Sequence, residues 1–291
     1  MEFFEEKRRM YEREYTALGE YKKEYMEMDF IELSKITDES ERVRKTYEIF
    51  NEDTRLTHSK AARVEFLTTV RYIEKYLHVG AKILDIGAGA GEYSLYFARR
   101  GYDVSAIELS PKNIESFRAK LTPDDRIDLQ EGNALDLSRY ADGTFDTVLL
   151  LGPLYHLGKR EDQLKAIAEA KRVVRPDGVI YFAFITNDFV HLTELGYNPN
   201  HFRSGAYDKE TFKLDDFPFV FHTVDECREL LDEGGIKVMH EVAADGVSEL
   251  LEDRINALDD ESFAQYLRYH EYICEKKEFL GMTNHLLFVG R

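Results

Sequence analysis

The sequence has 291 residues, of which 43% are hydrophobic and 13% aromatic, a composition that is typical of a folded globular protein. Its formal net charge of −17 disfavours a nucleic-acid partner, because an acidic surface repels phosphates. No segment reaches the roughly 20 apolar residues that a membrane-spanning helix needs, and residues 1–15 lack the apolar core of a signal peptide. We therefore expect a cytoplasmic protein without a membrane span.

Metal and disulfide chemistry are not indicated. The two cysteines, Cys227 and Cys274, lie far apart and outside any CxxC motif, so the sequence predicts neither a disulfide framework nor a structural zinc site. The histidines are scattered without the spacing of metal ligands. We predict no metal site.

Residues 1–55 are predicted to form a helical cap. Apolar side chains recur there at helical spacing, which gives one stripe along a helix; they are Phe4, Tyr11, Tyr15, Leu18 and Tyr25. Such a stripe needs a partner, which is either the main domain or a second copy of the chain. The first alternative is a cap, and the second is an arm that forms a homodimer through the N-terminal helices.

Strands and helices alternate over residues 56–291. A helix is predicted at 59–77, and the apolar runs that follow read as the strands KILDIG, DVSAIE, RIDLQEG, FDTVLLLG, GVIYFAFI, IKVMHEV and HLLFVG, with helices between most of them. This alternation predicts an α/β, Rossmann-like domain, with a seven-stranded, mainly parallel sheet covered by helices on both faces. Insertions at 187–222 and 246–279 interrupt the pattern and are typical of lids. Aromatic side chains of the first would line an acceptor pocket or pack on the sheet.

The strongest chemical signal is the segment ILDIGAGAGEYS. An apolar strand that contains Asp85 leads into a helix through the glycines Gly87, Gly89 and Gly91. Alternate glycines let the backbone approach a ligand closely, and the helix start offers unpaired N–H groups. The next strand ends at Glu108, whose carboxylate is placed to accept ribose hydroxyls. These features together predict a nucleoside cofactor.

The loop also indicates which nucleoside. A dinucleotide fingerprint has a small residue where this chain has Glu92, and a carboxylate at a helix start repels a pyrophosphate. A cofactor without phosphates therefore fits better. An NAD-dependent oxidoreductase is the alternative within the same fold.

Five segments in order, ILDIGAGAG, AIELS, GNALDL, FDTVLLLGPLYHL and RVVRPDGVI, resemble the successive motifs of class I S-adenosylmethionine-dependent methyltransferases. The resemblance spans residues 65–185 and is strongest to the small-molecule methyltransferases of bacteria. It implies S-adenosylmethionine as the cofactor.

The resemblance also implies roles for individual residues. Asp85 and the loop residues Gly87, Ala88, Gly89 and Gly91 would contact the methionine part. Glu108 would hold the ribose, and Leu109 would pack on the adenine. Asn133, where many relatives have Asp, would accept the adenine amino group through its side-chain carbonyl, Ala134 would donate its backbone N–H to the adenine edge, and Leu151 completes the cofactor-binding set.

The segment after the fourth strand indicates the acceptor. Enzymes of this superfamily that methylate amino groups of bases resemble one another in an N/D-P-P-Y motif, and this chain has Leu151, Gly152, Pro153 and Leu154 there. Neither cysteine lies near this region, as RNA 5-methylcytosine enzymes require. We therefore expect a small-molecule acceptor.

Tyr155 and His156 are the candidate catalytic residues, because they follow the fourth strand at the sheet edge where α/β proteins bind ligands. Methyl transfer mainly requires alignment, and His156 would accept a proton near neutral pH if a base is used. The alternative is a packing Tyr and a helix-start His. Upstream, Arg55 would meet the methionine carboxylate or form an ordinary ion pair. A non-catalytic regulatory protein that binds S-adenosylmethionine is the remaining alternative.

Overall fold

The computed structural model describes residues 33–291. The apolar stripe predicted between Phe4 and Tyr25, and with it the predicted dimerisation arm, lie outside the described residues. Within residues 33–291, no helix combines the length and the apolar character needed to cross a bilayer.

A mixed sheet forms the centre of the molecule. Its strands are β1 (Lys82–Ile86), β2 (Asp103–Glu108), β3 (Ile127–Glu131), β4 (Phe145–Leu150), β5 (Val174–Thr186), β6 (Phe221–His222), β7 (Val238–Ala243) and β8 (His285–Gly290). The order is β3-β2-β1-β4-β5-β8-β7, and the two-residue β6 pairs with β5. Only the pairs that involve β8 are antiparallel. The predicted Rossmann-like, mainly parallel sheet is confirmed, with β6 as an addition.

Helices connect the strands and cover the sheet. They are α1 (Glu39–Ile49), α2 (Arg63–Glu74), α3 (Glu92–Ala98), α4 (Pro111–Lys120), α5 (Arg160–Val173), α6 (Asn187–Tyr197), α7 (His201–Ser204), α8 (Val224–Glu233), α9 (Glu252–Asn256) and α10 (Asp260–Ile273). Residues 153–155 form a 3-10 turn after β4. The helix predicted at 59–77 begins later, at Arg63, because the preceding residues form hydrogen-bonded turns, in which the Ser59 hydroxyl accepts from the Ala62 N–H.

Both faces of the sheet are buried. In β5, Ile180 and Phe182 face one apolar cluster, whereas Val179 and Tyr181 face the other. This two-sided burial explains why the strands read as continuous apolar runs. Polar ligand-binding groups are therefore confined to the edges of the sheet, where the strands end.

The insertion at 187–222 packs mainly on itself and on the end of β5. The His191 ring stacks on Phe202 with centroids 5.8 Å apart, and a 2.8 Å hydrogen bond joins His191 to His201. Tyr207 belongs to a buried cluster that includes Ile185. Of the two alternatives for its aromatic residues, the structure thus favours packing.

Candidate functional site

A cavity opens at the carboxyl ends of β1, β2 and β4. Its space measures about 1020 Å³ including the open mouth. One side is formed by the lining residues between positions 85 and 157, which lie at the ends of strands β1 to β4 and in the loops that follow them. We call this side the sheet wall. The other side is the cap wall, formed by Glu39, Ser40, Val43, Tyr47, Glu52, Arg55 and Leu56.

Glu108, at the end of β2, is only 4% exposed. Its Oε2 accepts a 2.8 Å hydrogen bond from the Gly89 N–H, and its Oε1 accepts one of 2.8 Å from the Ser110 N–H. Burial raises the pKa of this carboxyl, while the two N–H groups oppose the shift. The predicted acidic group thus lies directly beside the glycine loop, and its carboxylate is held in one orientation.

The three loop glycines have positive φ angles, of 73° at Gly87, 55° at Gly89 and 87° at Gly91, a region in which only glycine is unstrained. Gly87 and Gly89 line the cavity. Gly91 is buried instead, and a Cβ atom there would overlap the ring of Phe117. This glycine thus lets helix α3 begin against α4, and its contact with a cofactor stays a prediction.

Asp85 lies beneath the loop and is 2% exposed. Its Oδ2 accepts a 2.7 Å hydrogen bond from the Ser94 hydroxyl. Burial raises its pKa to about 7, so this carboxyl titrates near neutral pH. Asp85 lines the cavity, as predicted, at the end that faces the glycine loop.

The residues predicted to contact an adenine, Leu109, Asn133 and Ala134, all line the cavity. Ala88 and Leu151, the other predicted cofactor contacts, line it as well. The side-chain carbonyl of Asn133 already accepts the Leu135 N–H at 2.9 Å. Since a carbonyl oxygen has two lone pairs, it retains capacity for one more donor.

Tyr155 and His156 also line the cavity, where they meet the cap wall. The His156 Nε2 and the Tyr47 hydroxyl are hydrogen-bonded at 2.8 Å. Burial lowers the pKa of His156 to about 3 and raises that of Tyr155 above its usual value. Burial therefore makes His156 a weak base, and its role as a proton acceptor stays a prediction.

Arg55 of the cap wall takes part in ion pairs, which was one of its two expected alternatives. It forms ion pairs of 2.7 Å with Glu52 and Glu65, and it faces the cavity as well. Sequence reasoning missed cap-wall residues such as Glu39, Ser40 and Val43, since no local pattern links residues 39–56 to strand ends that are distant in sequence. The Ser40 hydroxyl, for example, accepts a 3.0 Å hydrogen bond from Asn133.

Two further expectations are modified. Glu92, which argued against a pyrophosphate, is paired with Lys120 at 2.6 Å, so its repulsion of an anion is weaker than the sequence indicated. Of the described residues that line the cavity, none comes from the insertions at 187–222 or 246–279. Phe219 approaches only the outer side, where its ring lies 5.2 Å from that of His156.

Comparison with known proteins identifies one domain family. Residues 84–182 match the family described as a methyltransferase domain. A putative methyltransferase, YqeM, of Bacillus subtilis is 27% identical over 113 residues, which are 38% of this chain and 45% of the relative. The ubiquinone biosynthesis O-methyltransferase of Aromatoleum aromaticum is 31% identical over 111 residues, 38% of this chain and 46% of the relative. The chain thus spans less than half the length of these curated relatives.

Among solved structures, the [4+2]-cyclase SpnF has the same fold. The TM-score is 0.55 at 16% sequence identity, with 87% of this chain and 96% of that chain covered. This similarity concerns the fold alone, and it includes the elements outside residues 84–182. The similarity of fold thus extends well beyond the matched domain.

Proposed function

Because the chain carries a class I S-adenosylmethionine-dependent methyltransferase domain, we propose that it binds S-adenosylmethionine in the cavity and transfers the methyl group to a small-molecule acceptor. The proposal places the reaction in the cytoplasm.

The position of Glu108 carries the proposal. A carboxylate offers about four acceptor sites, and two backbone N–H groups and the Asn113 amide occupy three of them. The remaining site is on Oε2, the oxygen bonded to the Gly89 N–H. A ribose hydroxyl can donate to it without displacing any existing bond, so the residues fit a nucleoside.

The charges of the cavity also support this cofactor. Five carboxylic acids line it, namely Glu39, Glu52, Asp85, Glu92 and Glu108, and Arg55 is the one Lys or Arg among the described lining residues. Although Glu52 and Glu92 are paired with Arg55 and Lys120, the acids outnumber the bases at this cavity, which favours a ligand with a positive centre over a pyrophosphate. A sulfonium cofactor therefore suits the cavity better than NAD.

S-adenosylmethionine, when bound, supplies a methyl group that is already activated, so the protein's task is to bind and orient the reactants. Asp85 would hold the amino group, Leu109 would pack on the adenine, and Asn133 and Ala134 would contact its edge. Because Tyr47, Tyr155 and His156 meet beyond this set, they would bind the acceptor. His156 would orient it as a neutral hydrogen-bonding group rather than as a strong base.

Calorimetry followed by a turnover assay tests the proposal. We expect S-adenosylmethionine to bind and NAD not to bind, and we expect methyl-labelled cofactor to label at least one member of a panel of phenols, catechols and amines. No binding of S-adenosylmethionine would contradict the proposal. Binding without turnover on any acceptor would instead support the regulatory alternative, or a reaction other than methyl transfer, as the fold of SpnF allows.

A further inference from the structure

A network of charged side chains leads from the start of β8 to the cap wall. The Asp245 Oδ2 lies 2.8 Å from the His285 Nδ1, and the same nitrogen is 3.4 Å from the Glu65 Oε2. Glu65 accepts a 2.7 Å hydrogen bond from the Arg55 Nη1, and the Arg55 Nε donates at 2.7 Å to Glu52. Sequence separation hides this arrangement, because Glu65 and His285 are 220 positions apart.

Asp245, at the end of this network that is farthest from the cavity, is held by several hydrogen bonds. The Oδ1 of Asp245 accepts from the backbone N–H groups of Asn284 and His285, at 3.0 and 3.1 Å, and from the Thr283 hydroxyl. Asp245 is 8% exposed. The position of His285, and through it that of Glu65, is therefore fixed by the main chain at the carboxyl edge of the sheet.

The same cluster has the composition of a metal site, since ligand atoms of Glu65, Asp245 and His285 lie within 4.8 Å of one another. Its hydrogen bonds indicate that a proton on His285, and not a metal ion, lies between these side chains. The His285 nitrogen that faces both carboxylates is Nδ1, and Glu65 directs its oxygens to Arg55. We therefore infer an ionic network there and not a metal centre.

Within the described part of the chain, two N–H groups of Arg55 have no hydrogen-bond partner. A guanidinium has five N–H donors; one is bonded to Glu52, and two are directed to Glu65, at 2.7 and 3.4 Å. We propose that Glu65, His285 and Asp245 are positioning residues that hold Arg55 so that one of its remaining N–H groups binds the carboxylate of the ligand. This inference rests on the proposed function, in which that carboxylate belongs to S-adenosylmethionine.

The charge on His285 supports the network. Burial opposes that charge, but Glu65 of α2 and Asp245 after β7 outweigh both burial and Arg55, and they raise the pKa of His285 to about 9. At physiological pH the imidazolium therefore balances one carboxylate of the cluster. Glu65 can then share its charge between His285 and Arg55, which keeps the guanidinium fork in place.

Two ligands separate positioning from general destabilisation. S-adenosylhomocysteine has the amino-acid carboxylate, whereas 5′-methylthioadenosine has the same nucleoside without it. For Glu65→Gln we expect the calorimetric Kd for S-adenosylhomocysteine to rise about tenfold, as for the loss of one charge-assisted contact, with the Kd for 5′-methylthioadenosine unchanged. The matched control is Glu241→Gln, which breaks the Arg228 ion pair on β7 away from the cavity and should alter neither value.

A second variant covers the case in which Glu65→Gln does not fold. His285→Gln breaks the same network one residue further from the cavity, and it should give the same selective loss of affinity for S-adenosylhomocysteine. An equal loss for both ligands, or no loss for either, would overturn the inference. If the unsubstituted protein binds neither ligand, the proposed function fails, and this inference fails with it. The unsubstituted protein alone distinguishes this outcome from the failure of the inference.

Discussion

The two walls of the cavity are built in different ways. The sheet wall is formed by residues at the ends of adjacent parallel strands, where the backbone ladder places Glu108 beside the glycine loop. The cap wall is formed by residues 39–56, which side-chain contacts attach to distant positions, such as the 3.2 Å bond from the Arg44 Nε to the Leu109 carbonyl. Substitutions in the sheet wall should therefore affect cofactor affinity, whereas those in the cap wall, apart from Arg55, should mainly affect how firmly the cavity is closed.

The largest effect is expected at Glu108. In Glu108→Ala the ribose loses its acceptor, and the Gly89 and Ser110 N–H groups lose their partner. We expect the affinity for S-adenosylmethionine to fall by about 10- to 100-fold, the loss expected for hydrogen bonds to a charged group. Isothermal titration calorimetry measures it.

Glu131 provides the matched control for that substitution. It is the register partner of Glu108 on β3, but its side chain is 55% exposed and pairs with Arg44 outside the cavity. Glu131→Ala should change the affinity less than twofold. If Glu108→Ala changes the affinity no more than Glu131→Ala does, the sheet wall is not the ribose site.

A smaller effect is expected where the two walls touch. A Cβ at Gly89 would lie 3.1 Å from the Glu52 Cγ, whereas one at Gly80 would have nothing within 4 Å. Both glycines have positive φ, so alanine at either position costs about 1 kcal/mol of stability. Urea denaturation should show this loss in both variants. Only Gly89→Ala should also weaken S-adenosylhomocysteine binding, and equal affinities for the two variants would contradict the close approach of the walls.

The smallest effect is expected for Tyr47→Phe, which removes the cap-wall bond to His156. The free energy of unfolding should fall by about 1 kcal/mol, as for one partly buried hydrogen bond, while the affinity for S-adenosylhomocysteine stays within twofold. Tyr96→Phe, which removes an exposed bond to Glu74, should cost less. A large loss of ligand affinity in Tyr47→Phe would show that the cap wall takes part in cofactor binding at this residue.

The sheet and its ligand edge could be predicted from the sequence because their signals are local. Apolar runs mark the strands, and the positions of Gly87, Gly89 and Glu108 follow from where β1 and β2 end. Register then brings these residues together, since Ile86 of β1 pairs with Ile107 of β2. A motif of a few residues therefore carries three-dimensional information when a parallel ladder lies beneath it.

The remaining features depend on burial and on long-range contacts. A glycine that admits a ligand and one that admits a neighbouring ring look alike in sequence, so the role of Gly91 against Phe117 could not be foreseen. The lowered pKa of His156 depends on its burial beneath the cap wall. The network from Asp245 to Arg55 joins segments from both ends of the chain and leaves no periodic pattern.

The anchor of the cap to the Leu109 main chain has an evolutionary consequence. The Arg44 side chain donates to a peptide oxygen, which every amino acid provides. The whole cap wall also lies outside the matched residues 84–182. Mutations in residues 39–56, apart from Arg55, can therefore accumulate while the residues proposed to bind the nucleoside stay intact. The preference for an acceptor can thus change through substitutions in the cap wall while the residues of the sheet wall stay the same.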